Sequence, residues 1–203
     1  MELTDAEVMQ RVRAGDHDAF EVLVDRHKDG LVNYLTHLRG DRDRAEEVSQ
    51  EAFLRLFQHA HRYDEQEKLA PYLYRIATNL VRSEFRRMRR WRALLPWIQH
   101  AEPAQPESPA RRIFESEIID RVQGALESLP LTYRAPLVLR EIEGWSYQEI
   151  AKALDCREGT IKSRISRGRD QLRVLLAPYW NGGSHGSRVD RAAPALVAEK
   201  RSF

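Results

Sequence analysis

The sequence predicts an all-α protein built as two small helical domains joined by a flexible linker. Three observations carry this. Apolar residues recur at spacings of three and four, as in Phe20, Leu23, Val24, Leu31, Tyr34, Leu35 and Leu38, so that they share one helix face. Capping residues and glycines bracket those runs. Nowhere along the 203 residues does alternation of period two persist, so nothing marks a half-buried strand.

The elements follow in order. Thr4 with Glu7 three residues later is a capping box, and Gly15 closes the short helix it opens. Asp16 or Asp18 caps the next helix, which ends at Gly40. Asp43 with Glu46 reads as a second capping box, opening a helix that runs to about His59. Pro71 suits the start of another helix, where its missing N–H costs little. That helix reaches about Trp91 on an apolar face of Tyr72, Leu73, Ile76, Ala77 and Leu80. From Leu95 to Ala110 the chain carries Pro96, Pro103, Pro106 and Pro109 among small and polar residues, the composition of an extended linker. The expected organisation is therefore a first domain over 1–92, a linker over 93–111, a second domain over 112–180 and a mobile tail over 181–203.

The net charge is only +2, from 33 basic and 31 acidic side chains, but it is unevenly spread. Arg82 to Arg92 holds six arginines against Glu84, a local +5. Arg157 to Arg173 holds six cations against Glu158 and Asp170, a local +4. What remains is acidic. Two separated basic clusters imply two contacts with a polyanion. No apolar run approaches the ~18 residues of a membrane span, and the first residues lack a basic, then apolar, leader. The expectation is a cytoplasmic chain without membrane insertion. The single cysteine, Cys156, excludes an internal disulfide and a cysteine-based zinc site. His59 and His61 are the one close histidine pair, and no carboxylate or cysteine set completes a metal or nucleophile site. No enzyme activity, metal or cofactor is expected.

The segment SYQEIAKALDCREGTIKSRISRGRDQL is the most informative. Ser146 and Glu149 form a capping box, Trp145 and Ile150 a hydrophobic staple, and Ile150, Ala151 and Leu154 a buried face. A turn over Asp155–Gly159 follows. In the next helix Ile161, Ile165, Gly168, Leu172, Leu175 and Leu176 fall in one stripe, leaving Thr160, Lys162, Ser163, Ser166 and Arg167 accessible near its start. Such a helix-turn-helix places its second helix in the major groove, where arginine donates bidentately to guanine.

Two surfaces of the first domain stand out. Glu47, Gln50, Glu51 and Leu54 form a strip, mainly acidic with one leucine, opposite the arc of Ala45, Val48, Ala52, Phe53, Leu56 and Phe57. That composition fits docking on a basic partner. Further on, Tyr74 and Phe85 are aromatics of the kind that stack on bases, whereas Tyr72 reads as core, and the arginines past Arg82 can hold phosphates. The polar loop with Arg62, Tyr63, Asp64 and Gln66 is of the kind that accepts an unstacked base.

Taken together these blocks resemble a bacterial RNA polymerase sigma factor of the extracytoplasmic-function group. GDHDAFEVLVDRHKDGLVNYL, DRAEEVSQEAFLRLF and PYLYRIATNLVRSEFRR are similar to successive sigma-2 helices, and the stretch from Leu129 to Leu172 to sigma-4. The resemblance covers roughly residues 5–178. It implies that Glu47, Gln50, Glu51 and Leu54 contact the clamp helices of core polymerase, with the flap as a further contact. It implies that the loop with Arg62, Tyr63, Asp64 and Gln66 captures a flipped base of the −10 element. Asn79, Arg82 and Arg86 then track that element, and Thr160, Lys162, Ser163, Ser166 and Arg167 lie in the −35 groove. It also implies an anti-sigma partner. Tyr72 stands where many relatives have tryptophan, and Pro136 falls early in a sigma-4 helix. The competing expectation, a conventional helix-turn-helix repressor or activator acting without polymerase, accounts for 112–180. It leaves the acidic strip and the first basic cluster unexplained.

Overall fold

The computed structural model describes residues 3–63, 68–94 and 115–180, and among these every regular element is helical. The order is α1 (Asp5–Arg13), α2 (Ala19–Arg39), α3 (Arg42–Gln58), a 3-10 turn (Ala60–Arg62), α4 (Leu69–Leu94), α5 (Glu115–Ser128), α6 (Leu131–Glu141), α7 (Tyr147–Ala153) and α8 (Glu158–Trp180). The expected linker beyond α4 and the tail over 181–203 lie outside the described residues.

Local capping accounts for most of the boundaries. The Thr4 hydroxyl accepts from the Glu7 amide at 3.3 Å, while the Glu7 carboxylate accepts from the Thr4 amide at 2.7 Å. Of the two candidate caps for α2, Asp16 is the one used: its carboxylate accepts from the Ala19 amide at 3.1 Å. Gly40 ends α2 with φ +75°, the left-handed conformation glycine adopts without strain. The start of α3 differs from expectation. Its cap is Asp41, not Asp43, with Asp41 Oδ1 accepting from the Arg44 amide at 3.2 Å. Asp41 is the residue that returns to extended backbone after Gly40, so it alone has cap geometry. Asp43 sits in the first turn, where its charge complements the helix dipole, and Glu46 pairs instead with Arg42 at 3.1 Å.

The first bundle packs α1 to α4 around Met9, Leu23, Leu31, Tyr34, Leu35, Leu38, Leu56 and Leu73. Asp5 ties α1 to α2 through Arg26 at 3.0 Å and His27 at 2.7 Å. Thr78 donates to the Tyr74 carbonyl at 2.7 Å, so the buried Tyr34 hydroxyl, 2.8 Å from Thr78, donates to it. Burial pushes the Tyr34 phenol well above its ordinary pKa, so it remains a donor.

The second bundle builds α5 to α8 around Leu129, Leu137, Leu139, Ile150, Ile161 and Ile165. The Ser146–Glu149 capping box forms as expected, at 3.2 and 3.1 Å. Asp155 takes φ +49° in the turn after α7, and the Cys156 amide closes it on the Ala151 carbonyl at 3.0 Å. The turn is shorter than the sequence suggests. The Thr160 and Ile161 amides both donate to the Arg157 carbonyl, at 2.9 and 3.1 Å, so α8 starts at Glu158. Pro136 lies buried in the interior of α6 rather than in its first turn, and the helix continues through it to Glu141. Gly168 lets α8 approach α6 closely: a Cβ there would stand 3.4 Å from the Tyr133 carbonyl oxygen. Leu175, expected in the buried stripe of α8, is 38% exposed.

The two bundles also touch each other. α4 packs on α7, and α2 packs on α5 and α6.

Candidate nucleic-acid and docking surfaces

Three faces present side chains that the bundles do not consume. The first lies at the start of α8. Ile161, Ile165 and Gly168 turn inward, which forces Lys162, Ser163, Ser166 and Arg167 outward, while Thr160 is half-buried. Within the basic cluster most cations already have partners. Arg164 donates to Cys156 Sγ at 3.0 Å, Arg169 holds Glu141 at 2.5 Å, and Arg173 pairs with Asp170 at 3.1 Å. Lys162 lies 2.8 Å from Glu158 and 5.5 Å from the centre of the Tyr147 ring, and Glu158 raises its pKa. Arg167 has no ion-pair partner among the described residues, which leaves its planar donors available for a base edge. Arg157, a member of the second basic cluster exposed in the turn just ahead of α8, is a further phosphate-contact candidate beside the five residues expected in the groove. Its signal was its place before the helix start.

The second face lies on α4. Asn79 and Arg86 are exposed and Arg82 half-buried, at successive spacings that keep them on one side. Arg82 donates to Asn79 Oδ1 at 3.1 Å, and Arg86 to Ser83 Oγ at 3.1 Å. Arg87, Arg89 and Arg90 are also exposed. Glu84, the lone acid of this run, turns away and pairs with Arg39 and Arg44. The exposed charges of this run are therefore all cationic, with Met88 and Trp91 exposed among them.

Two aromatics expected near this face are in the core. Tyr74 is 4% exposed, 5.0 Å from the Tyr34 ring. Tyr63, also 4% exposed, packs edge-on against Tyr72 at 5.6 Å. Neither ring is accessible to a base. Phe85 is half-buried under the Arg39 guanidinium, 5.9 Å from its ring centre. Asp64, Gln66 and the Arg62 side chain lie outside the described residues.

The third face is on α3. Ala45, Val48, Ala52 and Leu56 point into the bundle, and Glu47, Gln50, Glu51 and Leu54 project from the other side. Leu54 is 49% exposed, an apolar anchor among polar groups. The strip is less purely acidic than its four residues suggest. Glu47 pairs with Arg44, and Glu51 with Arg55 at 2.8 Å. Exposed pairs of this kind contribute only about 0.3–0.5 kcal/mol, so a cationic partner displaces them at little cost.

No cluster of metal-binding side chains occurs among the described residues, and no described helix is long and apolar enough to cross a membrane.

Comparison with known proteins falls along these same segments. Residues 23–92 match the family described as Sigma-70 region 2, and residues 119–172 match Sigma-70, region 4. The chain is 32% identical over 189 residues to the ECF RNA polymerase sigma factor SigW of Bacillus subtilis, covering 87% of this chain and 98% of that one. It is 38% identical over 162 residues to the ECF sigma factor SigE of Mycolicibacterium smegmatis, covering 79% of this chain and 63% of SigE. Among solved structures it resembles CnrH in complex with the cytosolic domain of CnrY, with TM-score 0.66 and 24% identity over 86% of this chain and 97% of that one. It also resembles the sigma factor RpoE bound to the anti-sigma factor NepR from Bartonella quintana, with TM-score 0.60 and 24% identity over 78% and 96%. These two likenesses establish the fold.

Proposed function

Since the chain belongs to the extracytoplasmic-function sigma factors of RNA polymerase, we propose a division of labour among its three exposed faces. The protein binds core polymerase and directs promoter-specific initiation. The strip of Glu47, Gln50, Glu51 and Leu54 docks on the basic clamp helices of the polymerase. Asn79, Arg82 and Arg86 follow the −10 element. Lys162, Ser163, Ser166 and Arg167 enter the −35 major groove, Thr160 flanks them, and Arg167 reads a base. The loop containing Arg62, Asp64 and Gln66 takes the flipped −10 base, and the buried Tyr63 shapes the base of that loop. Sigma factors are non-catalytic initiation factors, and this reading assigns the chain no chemistry of its own and a cytoplasmic location. An anti-sigma factor is a further expected partner, because the similar RpoE was solved with one.

The observation that carries the reading is the pairing of two cationic outward faces, on α4 and α8, with a separate acidic-apolar strip on α3. A conventional helix-turn-helix regulator has no use for the strip. Glu51→Lys is therefore expected to weaken co-elution with core polymerase by about tenfold while the far-ultraviolet circular dichroism stays unchanged. Undiminished co-elution removes the strip from the docking surface. Neutralising Arg86 and Arg87 together is expected to reduce the slope of log affinity against log salt for promoter binding by the holoenzyme, by up to about 2. An unaltered slope places these arginines away from DNA.

A further inference from the structure

Lys162 is held by more than its own helix. A lysine carries its charge on a flexible stem, so an exposed one samples many rotamers and loses that freedom on binding. Glu158, one turn earlier on α8, lies 2.8 Å from the Lys162 ammonium. An exposed pair of this kind is too weak to fix a lysine by itself. The second hold comes from a different helix. The ammonium stands 5.5 Å from the ring centre of Tyr147, the first residue of α7. At that distance a cation is attracted to an aromatic face.

The ring is in turn set by a third helix. Arg140 of α6 places its guanidinium 4.8 Å from the same ring centre. Arg140 is anchored, because its Nη1 donates to the Trp145 carbonyl at 2.7 Å. The Tyr147 backbone is fixed as well, since the preceding Ser146 hydroxyl accepts from the Glu149 amide at 3.2 Å. Tyr147 is half-buried, with one side of its surroundings supplied by the bundle. Arg140 and the α7 cap therefore set the ring, and the ring and Glu158 together set Lys162. An ammonium has three N–H donors, so one can stay on Glu158 while another reaches DNA.

We propose that Tyr147 is a positioning residue for −35 recognition, its aromatic ring holding the Lys162 ammonium, with Glu158, in the pose that meets DNA. The aromatic ring carries the effect, not the phenolic hydroxyl, and it acts only through Lys162. Ordering one long side chain in advance is worth roughly two- to tenfold in affinity. The role in recognition rests on the sigma reading above; the contact of ring and lysine in the free chain does not.

Two measurements test it. In proton NMR of the free full-length chain, the ring current of Tyr147 is expected to move the ε-methylene resonances of Lys162 upfield of ordinary lysine values. Tyr147→Phe is expected to keep that displacement and Tyr147→Leu to abolish it. Ordinary values in the wild type overturn the proposal whatever the variants do. In promoter binding by the holoenzyme, Tyr147→Leu is expected to weaken affinity about two- to tenfold and Tyr147→Phe by less than twofold. In a Lys162→Ala background, Tyr147→Leu is expected to cost nothing further. No loss in Tyr147→Leu overturns the positioning role. So does an equal loss in Tyr147→Phe, which makes the hydroxyl a direct DNA contact, or an undiminished loss in the Lys162→Ala background. Promoter binding by none of the proteins, alongside the expected resonance displacement, refutes the sigma reading and leaves the contact standing.

Discussion

Arg167→Ala is expected to cost about 1–3 kcal/mol of binding at the correct −35 sequence and to flatten the preference among sequences at one base pair. Arg167 projects from the outer side of α8 two residues past the buried Ile165 and has no ion-pair partner among the described residues. Its neighbour Arg169 serves as the internal control. It is committed to Glu141 at 2.5 Å, so Arg169→Ala is expected to change affinity little and selectivity not at all. Binding of holoenzyme to a panel of single-base −35 variants measures both. A uniform loss across the panel for Arg167→Ala makes that arginine a phosphate contact instead.

Arg134→Ala is expected to destabilise the fold by about 3 kcal/mol, the largest stability effect we anticipate. Its buried guanidinium donates to the Leu129 carbonyl at 2.8 Å, to the Glu127 carbonyl and, across the seam, to Leu38. Burial lowers the pKa of Arg134 from the usual guanidinium range, partly opposed by Glu127. The group nevertheless stays charged, because its ordinary value is so high. Truncation leaves the carbonyls at the end of α5 without a donor. Denaturant titration measures the loss, and Arg134→Lys, with a single ammonium in place of the fork, is expected to recover only part of it. A loss under 1 kcal/mol for the alanine variant shows that water replaces the guanidinium freely.

Much of this was legible before any coordinates because it is local. The Thr4–Glu7 and Ser146–Glu149 boxes are decided within four residues, as is the inward stripe of Ile161, Ile165 and Gly168 that aims Lys162, Ser163, Ser166 and Arg167 outward. Capping motifs and the 3.6-residue period are short-range physics. What escaped was set by distant neighbours. Tyr74 looks like a candidate for base stacking, yet Tyr34, forty residues earlier, and Trp145 close over it. Leu175 continues an apolar stripe along its own helix, yet the folded chain leaves it 38% exposed. The cap at Asp41 was missed for a subtler reason: Asp43–Glu46 satisfies the motif equally well, and only the left-handed Gly40 decides between them. Arg44 and Arg55, which pair the carboxylates of the α3 strip, are visible in the sequence but fall at its margins.

Initiation itself is the most direct measurement of what this chain does. Run-off transcription combines purified core polymerase lacking any initiation subunit with this chain and a library of genomic promoter fragments. It is predicted to yield RNA from a subset of templates sharing paired upstream motifs, and only when the chain is present. Failure to start RNA from every template, together with failure to co-elute with the polymerase, contradicts it.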